Sequence, residues 1–260
     1  MCRDCGCSIT EHNHDHSHHH HHHHTNPSLN DKKTVEVLTK ILDANDKQAE
    51  SNRKHFEEYG ILAVNLMSSP GAGKTSLLEK TIELIGDEIK IGVIEGDLET
   101  NRDAERIKAK GAPAYQIATG QACHLDAFMV HEGIHHLPLE ELDIVFIENV
   151  GNLVCPASYD VGAHVNVVLL STAEGEDKPE KYPVMFKNSE LMLVTKVDLL
   201  PYMDFNIENA ISSAKKVNPK IDIIKVSSKT GEGMDLWIDY LKFKLKILRS
   251  SLNETSKGKA

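Results

Sequence analysis

No apolar run in the sequence approaches the roughly 20 residues that a helix needs to cross a bilayer, and the start lacks the basic segment and apolar stretch of a secretory signal. Both absences predict a chain that stays in the cytoplasm. Positive charge is also short. With 29 basic against 39 acidic side chains the formal charge is −10 at neutral pH, which repels phosphate backbones and anionic lipid heads. Nucleic acid and membrane are therefore not expected as partners. Cysteine is scarce and odd in number: of five, three fall in the first seven residues, which argues against a disulfide framework and for thiolate chemistry or metal binding. No internal repeat is present. What remains, 260 residues of which 40% are hydrophobic, is enough for one substantial core and a tail.

Residues 1–30 carry Cys2, Cys5 and Cys7, then ten histidines between His12 and His24. Such a stretch buries too little apolar surface to offset the entropy of ordering, so it is expected to be a disordered, metal-binding tail. Over 31–59 the apolar residues Val35, Leu38, Ile41, Leu42 and Phe56 recur at helical spacing, predicting one or two amphipathic helices. From Ile61 short apolar runs alternate with helical segments. Strands are predicted at 61–67, 90–95, 143–148, 165–171, 190–195 and 222–226. Their continuous apolar character suits an α/β domain over 60–250, with a mainly parallel central sheet covered by helices on both faces. The polar residues from 251 to 260 are expected to fray.

The first predicted strand runs into Ser68-Ser69-Pro70-Gly71-Ala72-Gly73-Lys74-Thr75-Ser76 and then a helical segment, the context a P-loop requires. Small residues let the N–H groups of Gly71, Ala72, Gly73, Lys74, Thr75 and Ser76 close around phosphate. Lys74 supplies a mobile cation, and the Thr75 hydroxyl faces Mg²⁺. Ser68 stands where the pattern has its first glycine.

Thr195-Lys196-Val197-Asp198 follows a strand and looks like the Asn-Lys-x-Asp motif that reads guanine. A carboxylate at Asp198 accepts from guanine N1–H and from the exocyclic amine, a pair that adenine does not present. Lys196 would lay its stem over the base, and Thr195 replaces an amide that donates and accepts at once. Ser227, Ser228 and Lys229 resemble the companion loop, so GTP is favoured over ATP. Strand 143–148 ends at Glu148-Asn149-Val150-Gly151, where a carboxylate can orient Mg²⁺ and a glycine lets the backbone approach the γ-phosphate. Asp97 and Asp103 are further Mg²⁺ candidates. Lys74, Asp103, Glu148 and Gly151 are thus the candidate catalytic positions.

The second chemistry is soft. Cys2, Cys5 and Cys7 crowd three thiols beside a terminal amine, a donor set suited to nickel, zinc or copper, and the histidine run is a weaker buffer for such ions. Cys123, His124 and Cys155 are three more potential ligands, close to segments that sense the γ-phosphate, so a metal there could respond to hydrolysis. His131, His135 and His136 read as helix-surface residues.

Together the CxxCGC start, the histidine tract, SSPGAGKTS, EGDLETNRDAERI, ATGQACHLDA, FIENVGNLVCPA, TKVD and SSKTGEG resemble the HypB family of nickel-incorporation GTPases, in the SIMIBI class of P-loop proteins. The resemblance implies GTP and Mg²⁺ binding, a nucleotide-promoted homodimer, and Ni²⁺ at the N-terminal thiols. It also implies Ni²⁺ or Zn²⁺ at Cys123, His124 and Cys155, and transfer of nickel to the hydrogenase large subunit with partner maturation proteins. By the same match, Lys181 corresponds to a lysine that reaches the neighbouring subunit's guanine. The alternatives are a nickel store and a urease-type accessory GTPase. The latter class carries a Cys-Pro-His motif, which is absent here.

Overall fold

The computed structural model describes residues 32–97, 102–120 and 122–257. The thiols Cys2, Cys5 and Cys7, the histidine tract and the expected tail therefore lie outside the described residues. Contacts divide the chain into two compact units, Met1–Ala44 and Asn45–Ala260.

Seven parallel strands form the sheet: β1 (Leu62–Ser68), β2 (Ile91–Asp97), β3 (Ala114–Ala118), β4 (Ile144–Glu148), β5 (Val165–Ser171), β6 (Leu191–Thr195) and β7 (Asp222–Val226), in the spatial order β3-β2-β4-β1-β5-β6-β7. The helices are α1 (Lys32–Glu58), α2 (Lys74–Ile85), α3 (Arg102–Ala109), α4 (Ala127–His135), α5 (Lys178–Lys181), α6 (Pro183–Lys187), α7 (Ile207–Val217) and α8 (Met234–Lys257).

The central strands β1, β2 and β4 are buried along nearly their whole length and mostly apolar, because successive side chains serve opposite cores. Leu62, Val64 and Leu66 of β1 join Leu77, Ile82 and Trp237 from α2 and α8. Ala63, Val145 and Ile147 join Val130 and Ile134 of α4 on another face. A third cluster sets Val168, Met192 and Val194 against Met185, Phe186 and Ala210 of α6 and α7.

Three differences from the sequence reading have physical causes. The strand β3 was not predicted: of AYQIA only Ile117 is buried, so this edge strand has no apolar run to betray it. The unit boundary falls inside α1, at 44/45 and not at 59/60. Within the second unit, α1 buries Asn45, Ala49, Asn52 and Phe56, and the two asparagines hide that face from a hydrophobicity pattern, whereas Ile41 and Leu42 are exposed. Asn45 Nδ2 donates to Asp160 O at 2.8 Å, its Oδ1 accepts from Ala127 N at 2.9 Å, and Asn52 Nδ2 donates to Ala127 O at 2.7 Å. Finally, α8 is helical as far as Lys257, past position 251 where fraying was expected. No glycine or proline interrupts it before Gly258, and extending a formed helix is cheap compared with starting one.

Candidate functional site

The loop after β1 closes through Gly71 (φ 75°) and Gly73 (φ 100°), left-handed conformations that a Cβ would strain. Lys74 and Thr75 then open α2, both buried. Lys74 Nζ donates to Ser68 Oγ at 3.1 Å, and burial pushes its pKa below the ordinary lysine value against the pull of Glu148, Asp103 and Glu95. Thr75 Oγ1 donates to Glu148 Oε1 at 2.8 Å. Gly151 lies against the same loop: a Cβ there would stand 2.8 Å from Pro70 Cα.

Glu95 and Glu148 are register partners on β2 and β4, which places two buried carboxylates side by side. Burial, reinforced by the charges of Glu148, Asp103 and Asp97, raises Glu95 to about 8. Burial likewise raises Glu148 to about 7, although Lys74 and the Thr75 hydrogen bond oppose it. Each keeps one buried oxygen, Oε2, without a hydrogen-bond partner among the described residues. Orphaned carboxylate oxygens beside a hydroxyl are the donor set of a hard divalent cation, so the residues present fit Mg²⁺. Asp97 and Asp103 share this cleft of about 440 Å³. Arg106 pins Asp103 at its mouth, with Nη1 on Asp103 Oδ1 at 2.8 Å and Nη2 on Ser76 Oγ at 3.3 Å.

The loop from Thr195 to Asp198 is fastened to the glycine-rich loop. Thr195 Oγ1 donates to Ala72 O and Lys196 Nζ to Gly71 O, both at 2.7 Å. Lys196, at φ 58°, is the one non-glycine with a positive φ among the described residues. Asp198 Oδ1 accepts from Ser227 Oγ at 2.7 Å, which aims the carboxylate. Ser228 and the exposed Lys229 follow it in the same loop. Lys181 is not brought into the cleft: it is exposed on α5 and paired with Asp177 at 2.7 Å.

A third group gathers beyond Gly151. One ligand atom from each of Cys123, His124 and Cys155 lies within 4.8 Å of the others. The two Sγ atoms are 2.8 Å apart, and Cys123 Sγ is 3.8 Å from His124 Nδ1. The His124 ring stacks on Tyr159 at 4.0 Å, and burial lowers its pKa, which favours the neutral form that ligates metals. Between this group and the carboxylates stands Asn149, buried, whose Oδ1 accepts from Leu125 N and from Val150 N, both at 3.0 Å.

The model of the CobW/HypB/UreG nucleotide-binding domain matches residues 62–225. The hydrogenase maturation factor HypB of Escherichia coli K12 is 51% identical over 215 residues, spanning 83% of this chain and 74% of that protein. This chain belongs to the HypB family. Two solved HypB structures share the fold. That of Helicobacter pylori HypB in complex with nickel superposes with a TM-score of 0.76 at 40% identity, covering 78% of this chain and 95% of that one. That of HypB from Archaeoglobus fulgidus gives 0.74 at 42% identity, covering 78% and 100%.

Within this HypB-family cleft the sequence reading passed over Glu95, Arg106 and Asn149. A glutamate inside an apolar strand, two residues before Asp97, was the available signal for the first. The other two draw their deciding partners from far along the chain, Arg106 from Ser76 and Glu79 and Asn149 from Leu125 and Asn65, which no local pattern marks.

Proposed function

We propose that the chain is a GTP-hydrolysing nickel metallochaperone of the cytoplasm that delivers Ni²⁺ for [NiFe]-hydrogenase maturation, with metal release coupled to hydrolysis. The observation that carries this reading is the pairing of two chemistries in one unit: a P-loop cleft lined by orphaned carboxylates, and a thiol–imidazole cluster joined to it through Asn149.

Gly71, Ala72, Gly73, Lys74, Thr75 and Ser76 cradle the phosphates, and Asp198, held by Ser227, selects guanine. Thr75, Glu148, Asp97 and Asp103 would hold Mg²⁺, with Glu95 beside them; when bound, the ion supplies charge neutralisation at the β- and γ-phosphates. Asp103, steadied by Arg106, orients the water whose oxygen bonds to the γ-phosphorus as the bond to the β–γ bridging oxygen breaks. Lys74 and the backbone of Gly151 stabilise the charge that develops there. Cargo Ni²⁺, or Zn²⁺, sits on Cys123, His124 and Cys155, and Cys2, Cys5 and Cys7 form a second holding point. Three ligands leave a four-coordinate ion one short, which a second subunit can fill in a nucleotide-promoted homodimer. Lys181, exposed on α5, exchanges its surface ion pair with Asp177 for the neighbouring guanine. The receivers are the hydrogenase large subunit and its maturation partners. Support comes from the H. pylori relative crystallised with nickel.

The test is a nickel and zinc titration in GDP and in a non-hydrolysable GTP analogue, on the intact protein and on Cys155→Ala. The intact protein should show a nucleotide-dependent affinity that the variant lacks. Identical titrations in both nucleotide states would overturn the coupling.

A further inference from the structure

Outside the nucleotide and thiol sites, α4 carries a pair of imidazoles one turn apart. His131 Nε2 and His135 Nε2 are 3.2 Å from each other, and the rings meet edge to face at 4.6 Å. The protonation of His131 can be read from its neighbours. Asn52 Nδ2 already donates to Ala127 O and Val161 O, so it is Asn52 Oδ1 that faces His131 Nδ1 at 3.1 Å. Nδ1 must therefore be the donor, which leaves Nε2 with a bare lone pair aimed at His135. A buried amide fixing one ring nitrogen while the other points outward is the support that metal-ligating histidines ordinarily have.

The spacing suits a metal as well. With metal–nitrogen bonds of about 2.05 Å, two nitrogens 3.2 Å apart subtend roughly 100° at the ion, between octahedral and tetrahedral geometry. A third ring, His55 on α1, stands with its centroid 5.6 Å from that of His135. His55 and His135 both line an open cleft that Glu140 and Glu141 also border.

We propose that His131 and His135, with His55 as a further donor, form a surface site for a borderline divalent cation such as Zn²⁺ or Ni²⁺, separate from the cluster at Cys123, His124 and Cys155. Without metal, His135 Nε2–H donates to His131 Nε2. On binding, His135 changes tautomer, giving up its Nε2 proton to solvent and taking one from solvent at Nδ1, so that it stays neutral and the ion takes the Nε2 lone pairs of both rings. The site is independent of the nucleotide and stands whether or not the chain hydrolyses GTP.

Residue-resolved carbethoxylation of the full chain, read by peptide mass spectrometry with Zn²⁺ alone as probe, tests it. Zn²⁺ should slow modification of His131 and His135 together by at least tenfold, while exposed His136, stacked on Tyr115, reacts as before. In His135→Gln, an exposed position, half-protection of His131 should need about tenfold more Zn²⁺ or beyond, because the chelate's second arm is gone. GTP turnover should be unchanged in that variant. Cys155→Ala should retain the protection. Unaltered rates at His131 and His135, equal protection of His136, persistence in His135→Gln, or loss in Cys155→Ala would each overturn the site.

Discussion

Asn149 Oδ1 accepts a 3.0 Å hydrogen bond from the backbone N–H of Leu125, so the residue after Glu148 grips the residue after His124. The same amide donates to Asn65 Oδ1 at 3.3 Å. In the proposed function, a shift of the loop at Glu148–Gly151 would thereby be passed to His124 through one buried side chain.

Asn149→Ala should cost about 1–3 kcal/mol of stability, since it strands buried polar partners. Its diagnostic effect is on coupling: the ratio of zinc affinities between the two nucleotide states should shrink to less than about threefold, where allosteric couplings usually span 5–150-fold. Parallel zinc titrations with GDP and a GTP analogue check this, and an undiminished ratio would show that the signal runs elsewhere.

Lys74→Ala should reduce GTP turnover by at least about 100-fold, the scale set by removing one preorganised charge-stabilising donor. Thermal unfolding should change little, because the variant loses the cost of burying an ammonium together with its attraction to Glu148 and Glu95. Steady-state hydrolysis and a melting curve measure both halves.

Gly151→Ala places a methyl 2.8 Å from Pro70 Cα and 3.0 Å from Pro70 N, and backbone atoms cannot step aside as a side-chain end can. The phosphate loop must yield, with a stability loss of about 1–3 kcal/mol. Turnover should fall roughly 100-fold, as expected for reacting groups misplaced by about an ångström. Wild-type kinetics in this variant would mean that the two loops separate when nucleotide binds.

His164 provides a pH test. It is half-buried, its Nδ1 accepts from Ala63 N at 2.9 Å, and desolvation together with the Arg53 charge lowers its pKa to about 4. Glu57 Oε1, 3.8 Å from Nε2, is too far to restore it. The unfolded chain, with an ordinary value near 6.5, takes up this proton first, so stability is full above pH 6.5 and declines as pH falls toward 4. The loss levels off at about 3 kcal/mol. His164→Asn, whose Oδ1 can keep the Ala63 bond, should flatten that part of the profile in denaturant titrations across pH 4–7.

The sequence was most legible where one local pattern decided the outcome. A glycine-rich loop between an apolar strand and a helix marked the P-loop fold, and continuous apolar runs marked the strands buried on both faces. It was least legible where distant residues meet. Asn45 and Asn52 were passed over, because nothing nearby announces Ala127 O or Asp160 O. Glu95 and Glu148, far apart in the chain, become a pair only through sheet register. His131 and His135 had a visible spacing, but the amide that sets their protonation comes from α1.

The bonds from Thr195 and Lys196 to the carbonyls of Ala72 and Gly71 make the two ends of the nucleotide cleft a single gauge. Under the proposed function, a purine seated wrongly at one end would displace the anion cradle at the other. Selection of the base would then be enforced during turnover as well as at entry, and an ill-fitting nucleotide that did lodge would be a poor fuel.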